Sequence, residues 1–374
     1  MKVVFLAAGT SIHSARWVNG LSVAGLKVHL VTRHPVSNTL HPGVEVIQHS
    51  YRGNLGYLLM SAGVRRALRA IRPDILNAHF ASGYGTTARL VRWHPYLLSV
   101  WGSDVYSFPE KSRFHRRLLE KNLMAADALA STSHCMAKQV RHLAPGAGQI
   151  AVTPFGVDVR SFSVVPALSP GARDGLVIGT VKTMSHTYGV DTLVEAFALL
   201  RQQLTAMQHP LADKVALRLV GDGPQIGALR ALSGRLGVAD RVTFTGPVPY
   251  EQVPAELAKL DIYAALSRQE SFGVAVLEAG AAGRPVVVSD AGGLPEVVQD
   301  GVTGLVVPRE NPVAAADALL KLVTDPSQRI IMGESGRRHV RDHYAWDACV
   351  QTMISVYEDT IRKFHERVST CSRL

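Results

Sequence analysis

The 374-residue sequence is poor in cysteine and has no long apolar run. Its three cysteines, Cys135, Cys349 and Cys371, lie far apart and form no CxxC pair or Cys/His cluster. This spacing excludes a recognisable disulfide framework or zinc motif and fits a reducing compartment. No stretch approaches the roughly 18 consecutive apolar residues that a membrane-spanning helix requires. We therefore expect a cytoplasmic protein.

Aromatic residues are also scarce, at 6% of the chain, and they are not interleaved with its positive charge. Proteins that bind single-stranded nucleic acid use aromatic side chains as stacking platforms, and no nucleic-acid reading motif is present. We therefore expect no nucleic-acid partner. With 47% hydrophobic and 19% charged residues, the composition is that of a compact globular protein. The length exceeds that of one ordinary core and predicts two domains.

Acidic residues are deficient in only one half of the chain. Residues 1–170 contain 19 Lys and Arg against 7 Asp and Glu, a net charge of +12, whereas residues 171–374 contain 21 against 23, a net charge of −2. A basic half beside a neutral half favours an anionic partner that meets the first half alone. By charge alone the candidates are a membrane surface, a nucleic acid and a phosphorylated substrate, of which the nucleic acid is disfavoured by the scarcity of aromatic residues and of reading motifs. The alternative is a basic charge that serves only solubility.

Two basic amphipathic stretches lie in this first half, GYLLMSAGVRRALRAIR from Gly56 and KSRFHRRLLEKNLM from Lys111. Such helices can lie on anionic lipid, where each basic residue near the surface adds roughly 1 kcal/mol. The alternative, an internal helix with a solvated basic face, applies more to the first stretch. The second has five cations against Glu120 alone and is the better candidate for a membrane or an anionic acceptor. Peripheral contact with the inner face of the cell membrane, through the basic N-terminal domain, is the corresponding expectation.

Short apolar runs alternate with helical stretches along the whole chain. The predicted strands are Val3–Ala8, Lys27–Val31, Val44–Ile47, Ile75–Ala78, Tyr96–Val100, Ala128–Ser131, Ile150–Thr153, Leu176–Val181, Ala216–Val220, Val242–Phe244, Ile262–Ala265, Pro285–Val288 and Gly304–Val306. Strands that are apolar on both faces and alternate with helices are typical of parallel sheets covered by helices. The fold class predicted is therefore α/β, with two Rossmann-like, doubly wound domains that face a central cleft and bind ligands at the carboxyl ends of their strands.

The domain boundary is expected between residues 158 and 174, where helical periodicity lapses and Ser, Pro and Gly accumulate. Residues 1–160 are assigned to an N-terminal domain and residues 171–345 to a C-terminal domain. A final helix, 347–367, has apolar residues at helical spacing and could pack on either domain, including back on the first.

The densest chemical signal is the stretch Gln269–Glu278, QESFGVAVLE. Glu270 and Glu278 are eight residues apart, a little over two helical turns, so both can address one extended ligand. Amide groups at the start of a helix favour phosphate, and Gly273 removes a side chain that would block close approach. The alternative is a pair of ordinary glutamates, one at a helix start and one on the surface. That alternative is weakened because Glu278 lies in a stretch of buried character, where a carboxylate needs a partner.

This region resembles a known family. QESFGVAVLEAGAAGRPVVVSDAGGLPEVVQDGVTGLVV resembles the Glu-x7-Glu signature region of the family 4 retaining glycosyltransferases, of glycosyltransferase group 1 type, which have the two-domain GT-B fold. Further segments agree in order and spacing: GTSIHSARWVNGL, PDILNAH, SVWGSDVY, TPFGVD, YGVDTLVEAF, LVGDGP and FTGPVPYEQVP. The resemblance covers essentially the whole chain.

The resemblance implies that the second domain binds a nucleotide-sugar donor and that the first binds the acceptor. It implies a contact of Glu270 with the transferred sugar and of Glu278 with the ribose. Backbone N–H groups of the intervening residues would bind the sugar and the diphosphate. The residues assigned to the donor in this segment are Ser271, Phe272, Gly273, Val274 and Glu278.

Cationic residues for the diphosphate are expected in the loop after Leu176–Val181. Family members usually carry Arg or Lys at its start and a Lys about five residues later. Here Lys182 occupies the first place, whereas Thr187 stands at the second. The adjacent His186 could substitute, although a neutral imidazole is a weaker phosphate partner. Lys182 is thus the predicted diphosphate ligand, together with Thr180 in the preceding strand, and a solvated loop lysine is the alternative.

Three further loops carry assignments. The resemblance places the nucleobase near Val248, held mainly by the backbone, although turn formation alone would also explain this loop. Gly9 and Thr10 follow the first strand and precede a helix expected near Ser14, where backbone N–H groups could approach the diphosphate. His13, at this helix entrance, is a candidate ligand contact or a plain cap.

Asp104 matches a family position that could bind or orient the acceptor hydroxyl, and the alternative is an Asx turn or helix cap. Many relatives carry His where this chain has Trp101, so a histidine contact to the donor sugar is not carried over. Asp104 completes the predicted catalytic set, whose other members are Glu270 and Lys182.

The expected reaction keeps the anomeric configuration. No carboxylate is placed by motif as a nucleophile, and the resemblance favours front-face attack in which the leaving diphosphate assists deprotonation. The protein would position the substrates and stabilise leaving-group charge. No DxD-like metal clamp stands where one would be needed, so neither a metal nor another cofactor is predicted, and the nucleotide sugar is a substrate.

The sequence thus predicts a retaining glycosyltransferase of cell-surface polysaccharide biosynthesis. It would move a sugar from a nucleoside-diphosphate donor, UDP favoured over GDP, to a hydroxyl of a glycan or lipid-linked acceptor. The alternatives are a nucleotide-sugar epimerase or hydrolase on the same fold, and a non-catalytic nucleotide-sugar-binding protein. The missing second cation keeps the latter open.

Overall fold

The computed structural model describes residues 1–36, 39–168 and 174–371, and for Cys371 the backbone alone. The chain divides into two compact units, residues 1–154 with the segment from Asp347 onward, and residues 155–346. The sequence predicted that the first domain ends at residue 160 and that the second begins at residue 171. Residues 169–173, inside the predicted boundary, lie outside the described residues.

The first unit contains a parallel sheet. Its strands within the described residues are β1 (Lys2–Leu6), β2 (Lys27–Thr32), β3 (Val44–Gln48), β4 (Ile75–His79), β5 (Tyr96–Val100), β6 (Ala128–Ser131) and β7 (Ile150–Val152). They are ordered β3-β2-β1-β4-β5-β6-β7. The central strands β4 and β5 are buried along their full length, because helices cover both faces of a parallel sheet.

Helices connect these strands. They are α1 (Ile12–Val23), α2 (Gly56–Leu59), α3 (Ser61–Ile71), α4 (Gly83–Val91), α5 (Arg113–Met124) and α6 (His134–Leu143). The sequence analysis treated the stretch from Gly56 as one amphipathic helix, but the structure has two helices that meet at Met60, whose side chain is fully buried. Ser112 and Ser133 cap α5 and α6 by accepting hydrogen bonds from first-turn N–H groups.

The second unit contains the other parallel sheet. Its strands within the described residues are β8 (Leu176–Val181), β9 (Val215–Val220), β10 (Val242–Gly246), β11 (Ile262–Ala265), β12 (Val286–Ser289) and β13 (Gly304–Val307), ordered β10-β9-β8-β11-β12-β13. The α/β class predicted from the sequence, with parallel sheets, is therefore confirmed.

The helices of this unit are α7 (Val159–Ser163), α8 (Val190–Ala206), α9 (Ile226–Arg235), α10 (Val253–Ala258), α11 (Val274–Ala281), α12 (Leu294–Val297), α13 (Pro312–Thr324) and α14 (Pro326–His343). The core lies between the sheet and helices such as α8, which buries Leu193, Phe197 and Leu200 completely or almost so. Asn311 and Asp325 cap α13 and α14 with their side chains.

A last helix, α15 (Trp346–Cys371), is longer than the predicted 347–367 and packs on the first unit. Its Tyr357 hydroxyl donates to Asn77 Oδ1 of β4 at 2.8 Å, and Arg367 forms an ion pair with Asp127. Among the described helices, none is both long enough and apolar enough to cross a bilayer.

Candidate functional site

Two neighbouring strands of the second unit deliver the charged residues of the candidate site. β8 pairs with β11, and both run parallel. Lys182 directly follows β8, and Glu270 lies in the loop that follows β11. Because the carboxyl ends of parallel strands meet at one edge of a sheet, the two side chains come together there.

Lys182 and Glu270 form a buried ion pair. The Lys182 Nζ donates to Glu270 Oε2 at 2.5 Å, and about nine-tenths of each side chain is shielded from solvent. The same ammonium lies 4.4 Å from the ring centroid of Tyr188. Burial disfavours the charged lysine, but the negative charge of Glu270 beside it outweighs burial and raises the pKa of Lys182. Lys182 is therefore a fixed cation rather than a proton donor.

Residues Ser271 to Val274 connect this pair to α11. Gly273 is the N-cap, with φ +111°, a value that residues with a side chain rarely adopt. The N–H groups of Val276 and Leu277 donate to the Gly273 carbonyl. Helix geometry leaves the N–H groups before them without intrahelical acceptors, so the start of α11 suits an anion.

The backbone of Glu270 rests on the loop after β12. The Gly293 N–H donates to the Glu270 carbonyl at 3.0 Å. Gly292 has φ +51°, and a Cβ there would lie only 1.9 Å from the same carbonyl oxygen. Only glycine at position 292 permits this close approach, which holds Glu270 in place, and a Cβ at Gly293 would lie 2.7 Å from Phe272 Cα.

Glu278 lies in the second turn of α11 and is almost fully buried. The partner that a buried carboxylate requires is Tyr250, whose hydroxyl donates to Glu278 Oε1 at 3.0 Å. Tyr250 follows Val248 by two residues, and Val248 is half-buried. The structure thus brings the predicted ribose residue next to the predicted nucleobase loop, through a tyrosine that the sequence analysis missed.

The glycine loop after β9 supports the same edge. Gly221 has φ +136°, and a Cβ there would lie 2.0 Å from the Lys182 carbonyl oxygen. The Gly221 N–H donates to the Gly246 carbonyl, which links this loop to the one that carries Val248. Thr180 is buried within β8, next to Val181, whose carbonyl accepts from the Tyr263 hydroxyl at 3.3 Å. Thr180 therefore supports the strand, and its contact with a donor stays a prediction.

In the first unit, Asp104 makes the contacts of a structural turn. Its Oδ2 accepts from the Ala81 N–H at 2.8 Å, and its Oδ1 accepts from the N–H groups of Trp101 and Gly102 at 3.1 and 2.9 Å. Burial raises the pKa of Asp104, against the effect of these backbone hydrogen bonds. The side chain is 2% exposed. These contacts give Asp104 a structural role as the acceptor of three backbone N–H groups, and its predicted contact with an acceptor hydroxyl stays a prediction.

The loop after β1 also differs from expectation. α1 begins at Ile12, two residues earlier than predicted. The Gly9 N–H donates to Thr32 Oγ1 at 3.0 Å, so this amide is engaged within the unit, whereas Thr10 is exposed. The assignment of Gly9 to the diphosphate is therefore not supported by its hydrogen bond, and that of Thr10 stays a prediction.

His13 and Trp101 belong to an aromatic cluster at this edge of the first sheet. Their ring centroids are 5.9 Å apart in an edge-on contact, and Trp101 also contacts His79 at 4.6 Å. Burial, helped by the charge of Arg16, lowers the pKa of His13 to about 4. His13 is therefore a neutral, packed side chain rather than the helix cap.

Within the described part of the chain, no group of three or more His, Cys, Asp or Glu side chains is arranged to hold a metal ion. The predicted independence of metals stays a prediction.

Comparisons with known proteins place these two units in one family. The model of the glycosyl transferases group 1 matches residues 170–339, and that of the glycosyl transferase 4-like proteins matches residues 2–133. A D-inositol 3-phosphate glycosyltransferase of Streptomyces avermitilis is 31% identical over 97% of this chain and 85% of its own length. A GDP-mannose-dependent alpha-(1-6)-phosphatidylinositol monomannoside mannosyltransferase of Mycobacterium tuberculosis is 37% identical over 54% of this chain and 54% of its own length. The chain thus spans about half the length of this relative.

Solved structures show the same fold. The sucrose-phosphate synthase of Thermosynechococcus elongatus superposes with a TM-score of 0.80 at 21% identity, over 97% of this chain and all of that one. HepE of Anabaena, in complex with UDP, gives 0.78 at 20% identity, over 96% of this chain and all of that one. The two parallel-sheet α/β units thus define a GT-B fold. The chain belongs to the glycosyltransferase group 1 family, as its resemblance to the family 4 signature implied.

Proposed function

We propose that the protein transfers a sugar from a nucleoside-diphosphate donor to an acceptor hydroxyl. The observation that carries the proposal is the arrangement around α11. The buried pair of Lys182 and Glu270 lies before the start of this helix, and the buried carboxylate of Glu278 lies in its second turn. Amides suited to phosphate come between them along the chain. Membership of the glycosyltransferase group 1 family supports the same class of reaction.

Each end of this arrangement suits a different part of the donor. In the proposal, the Lys182 ammonium and the N–H groups of Gly273 and Val274 hold the diphosphate. Glu270 accepts hydrogen bonds from the transferred sugar, and Glu278 accepts them from the ribose. Carboxylates are strong acceptors for hydroxyl donors, and a buried cation interacts with phosphate more strongly than a solvated one does.

The proposed chemistry proceeds with retention of the anomeric configuration. As the bond between the anomeric carbon and the diphosphate oxygen breaks, negative charge accumulates on the leaving diphosphate. Lys182 and the amides at the start of α11 stabilise that charge. The acceptor oxygen forms its bond to the anomeric carbon on the same face, and its proton passes to the leaving diphosphate. The protein supplies preorganised charge and orientation.

The nucleobase of the donor is either uracil or guanine. A UDP-sugar was expected from the sequence, which corresponds to uracil. The name of the Mycobacterium tuberculosis relative specifies GDP-mannose and supports a guanine nucleotide instead. Because Tyr250 links the Val248 loop to Glu278, base and ribose would be bound by one connected element. A binding screen with GDP-mannose and UDP-sugars decides between the two bases.

The acceptor is proposed to carry phosphate. The first half of the chain has a net charge of +12, and both named relatives act, by their names, on phosphorylated inositols. A positive domain attracts anionic acceptors and raises their encounter rate. A phosphorylated polyol or a lipid-linked glycan fits this charge, and a role in cell-surface polysaccharide biosynthesis belongs to the same proposal.

Contact with an anionic membrane is part of the proposal as well. On α5, Phe114 is 69% exposed, whereas Leu119 and Leu123 are buried, so an aromatic ring remains at the surface beside the basic residues of this helix. α2 also exposes Leu59 by 60%, and α2 and α5 both pack on α4. Apolar side chains among cations favour binding at the cytoplasmic surface of an anionic bilayer.

The function is tested with the purified full chain and radiolabelled donors. GDP-mannose and UDP-sugars are offered with inositol phosphate or lipid-linked acceptors. We expect transfer, and we expect Glu270→Ala to abolish it while nucleotide binding remains measurable. Glu334→Ala, on α14 of the same unit, is the matched control and keeps activity. Full activity of Glu270→Ala would remove Glu270 from the mechanism.

The donor without an acceptor provides a second test. NMR of the sugar should show an unchanged donor over the time in which transfer goes to completion. Epimerised or freed sugar at the rate of transfer would instead identify an epimerase or a hydrolase.

A further inference from the structure

Arg268 joins the two loops that carry the candidate donor site. Its Nη1 and Nη2 donate to Asp191 Oδ1 and Oδ2, both at 2.8 Å, which is a bidentate pair. Its Nε donates to Glu310 Oε1 at 2.9 Å, and Nη1 also donates to the His186 carbonyl at 2.9 Å. Arg268 precedes Glu270 by two residues, whereas His186 and Asp191 belong to the loop after β8 and the start of α8.

The backbone strengthens this link. The N–H groups of Arg268 and Gln269 donate to the Thr187 carbonyl at 2.9 and 3.2 Å. Gly189 has φ +57°, and a Cβ there would lie 2.0 Å from the Leu266 carbonyl oxygen. Residues 186–189 therefore lie directly against residues 266–269, and only glycine permits the approach at position 189.

The ring of Tyr188 connects the segment held by Arg268 to the ammonium of Lys182. Tyr188 lies within the segment that Arg268 holds, and its ring centroid is 4.4 Å from the Lys182 Nζ. A shift of residues 186–189 would move this ring away from Lys182. The contacts therefore connect the Arg268 guanidinium to the position of the Lys182 ammonium.

Arg268 is not itself a free cation for the donor. Its guanidinium faces two carboxylates, Asp191 and Glu310. The hydrogen bonds with Asp191, ahead of the opposing effect of burial, raise the pKa of Arg268. Burial raises the pKa of Asp191, but the hydrogen bonds and the positive charge of Arg268 outweigh burial and lower it. Bidentate geometry makes this pair specific for arginine.

We propose that Arg268 is a positioning residue that holds residues 183–189 in the conformation competent for donor binding. The inference rests on the proposed function of this edge as a donor site. A lysine at position 187 could order the loop by binding the diphosphate directly, but Thr187 has no charge to do so. In this chain the order is instead supplied by the protein, through Arg268 and its contacts with Asp191 and His186.

This role predicts a defined kinetic pattern. Without Arg268 the loop must become ordered when the donor binds. The apparent affinity then equals the intrinsic affinity multiplied by the fraction of molecules in the competent conformation. Once the donor saturates the site, the loop is ordered again. Arg268→Ala should therefore raise the KM for the donor about tenfold or more, with kcat changed less than about threefold. Arg268→Lys keeps the charge but loses the bidentate hydrogen bonds, so its KM for the donor should lie between that of the native chain and that of Arg268→Ala.

The matched control is Arg218→Ala. Arg218 makes a comparably shielded ion pair with Glu256 in the same unit, at 2.7 Å, on strand β9 and away from residues 183–191. Its loss should lower stability without changing the KM for the donor. If Arg218→Ala raised the KM as much as Arg268→Ala, the effect would be general destabilisation and the proposal would be overturned.

A double-mutant cycle with Asp191→Asn completes the test. If Arg268 acts through Asp191, the combined change in KM is smaller than the product of the single changes. Multiplicative changes, or an Arg268→Ala variant with the KM of the native chain, would overturn the proposal. Calorimetric titration with UDP and GDP distinguishes failure of the proposed function from failure of the positioning role. Absence of nucleotide binding by the native chain would contradict the proposed function. Unchanged binding by Arg268→Ala would contradict the positioning role alone.

Discussion

The Tyr250 hydroxyl donates a hydrogen bond to Glu278 Oε1 at 3.0 Å, within the shielded second turn of α11. Glu278 needs a donor because an unpaired buried carboxylate is costly. A ribose hydroxyl can provide the same kind of hydrogen bond. The contact therefore keeps the carboxylate satisfied in the chain without a ligand, at the place proposed for the ribose.

The stability of Tyr250→Phe tests this relationship. Removal of the hydroxyl leaves Glu278 Oε1 without this donor, and the free energy of unfolding should fall by about 1–3 kcal/mol. Urea denaturation measures the loss. Saturating nucleotide should restore part of it, because ribose hydroxyls can take over as donors. A variant as stable as the native chain would show that the hydrogen bond contributes nothing.

Lys182→Met should affect stability and transfer separately. It leaves the shielded carboxylate of Glu270 without its cation, and breaking such a pair costs about 3–5 kcal/mol. In the double variant Lys182→Met/Glu270→Leu no charge is left unpaired, so we expect stability to recover while transfer stays at least about a hundredfold lower, as for loss of a charge stabiliser. Denaturation and transfer assays on both variants are required. Recovery of transfer in the double variant would contradict the role of Lys182.

The charge state of Lys182 predicts the pH profile. Its folded-state pKa is raised above that of an unfolded lysine, so its contribution to stability is fully present below about pH 10 and is lost only as pH rises through the folded-state pKa. The rate of transfer between pH 6 and 9 should therefore show no ionisation of this lysine. A basic limb that disappears in Lys182→Arg would contradict that expectation.

His13 predicts loss of stability in acid. Its pKa in the folded chain is about 4, against about 6.5 unfolded, so the unfolded state binds more protons between these values. The free energy of unfolding should fall as pH falls from about 6.5 to 4, by about 3 kcal/mol from this residue. His13→Phe should flatten that slope, and His142→Phe, on the exposed face of α6, is the control. An unchanged slope in His13→Phe would refute the assignment.

The Asp104→Asn variant distinguishes a structural role of Asp104 from a catalytic one. The amide cannot accept all three backbone hydrogen bonds that the carboxylate accepts, so stability should fall by about 1–3 kcal/mol. We expect kcat per folded molecule to change less than about threefold, because neither oxygen is open to an acceptor. Thermal denaturation and kcat are measured in parallel. A loss of kcat by two orders of magnitude would restore the catalytic role predicted from the sequence.

The α/β class and the strand alternation could be read from the sequence because buried parallel strands leave continuous apolar runs. Ala128–Ser131 was predicted with its observed limits, and Val242–Phe244 falls two residues short of β10. The break at Met60 was not predicted, because an apolar residue at helical spacing gives no sign of two helices. The packing of α15 was left open for a related reason: its apolar face shows that it is buried but not against which sheet.

The candidate site was predictable where a local pattern carries the chemistry. The spacing of Glu270 and Glu278 and the glycine before Val274 identified the start of α11. The partners Tyr250 and Arg268 were missed, since their contacts join residues 28 and 77 positions away in the sequence. The backbone N–H groups that donate to the Asp104 carboxylate were also not predictable, because they belong to residues 81, 101 and 102 and only the fold brings them to it.

A crystal structure of the full chain with bound UDP or GDP would show directly whether the start of α11 holds the diphosphate. We expect diphosphate oxygens within about 3.2 Å of the N–H groups of Gly273 or Val274 and of the Lys182 ammonium, with the ribose hydroxyls hydrogen-bonded to Glu278. A nucleotide bound at another place, or a ribose without contact to Glu278, would contradict this expectation.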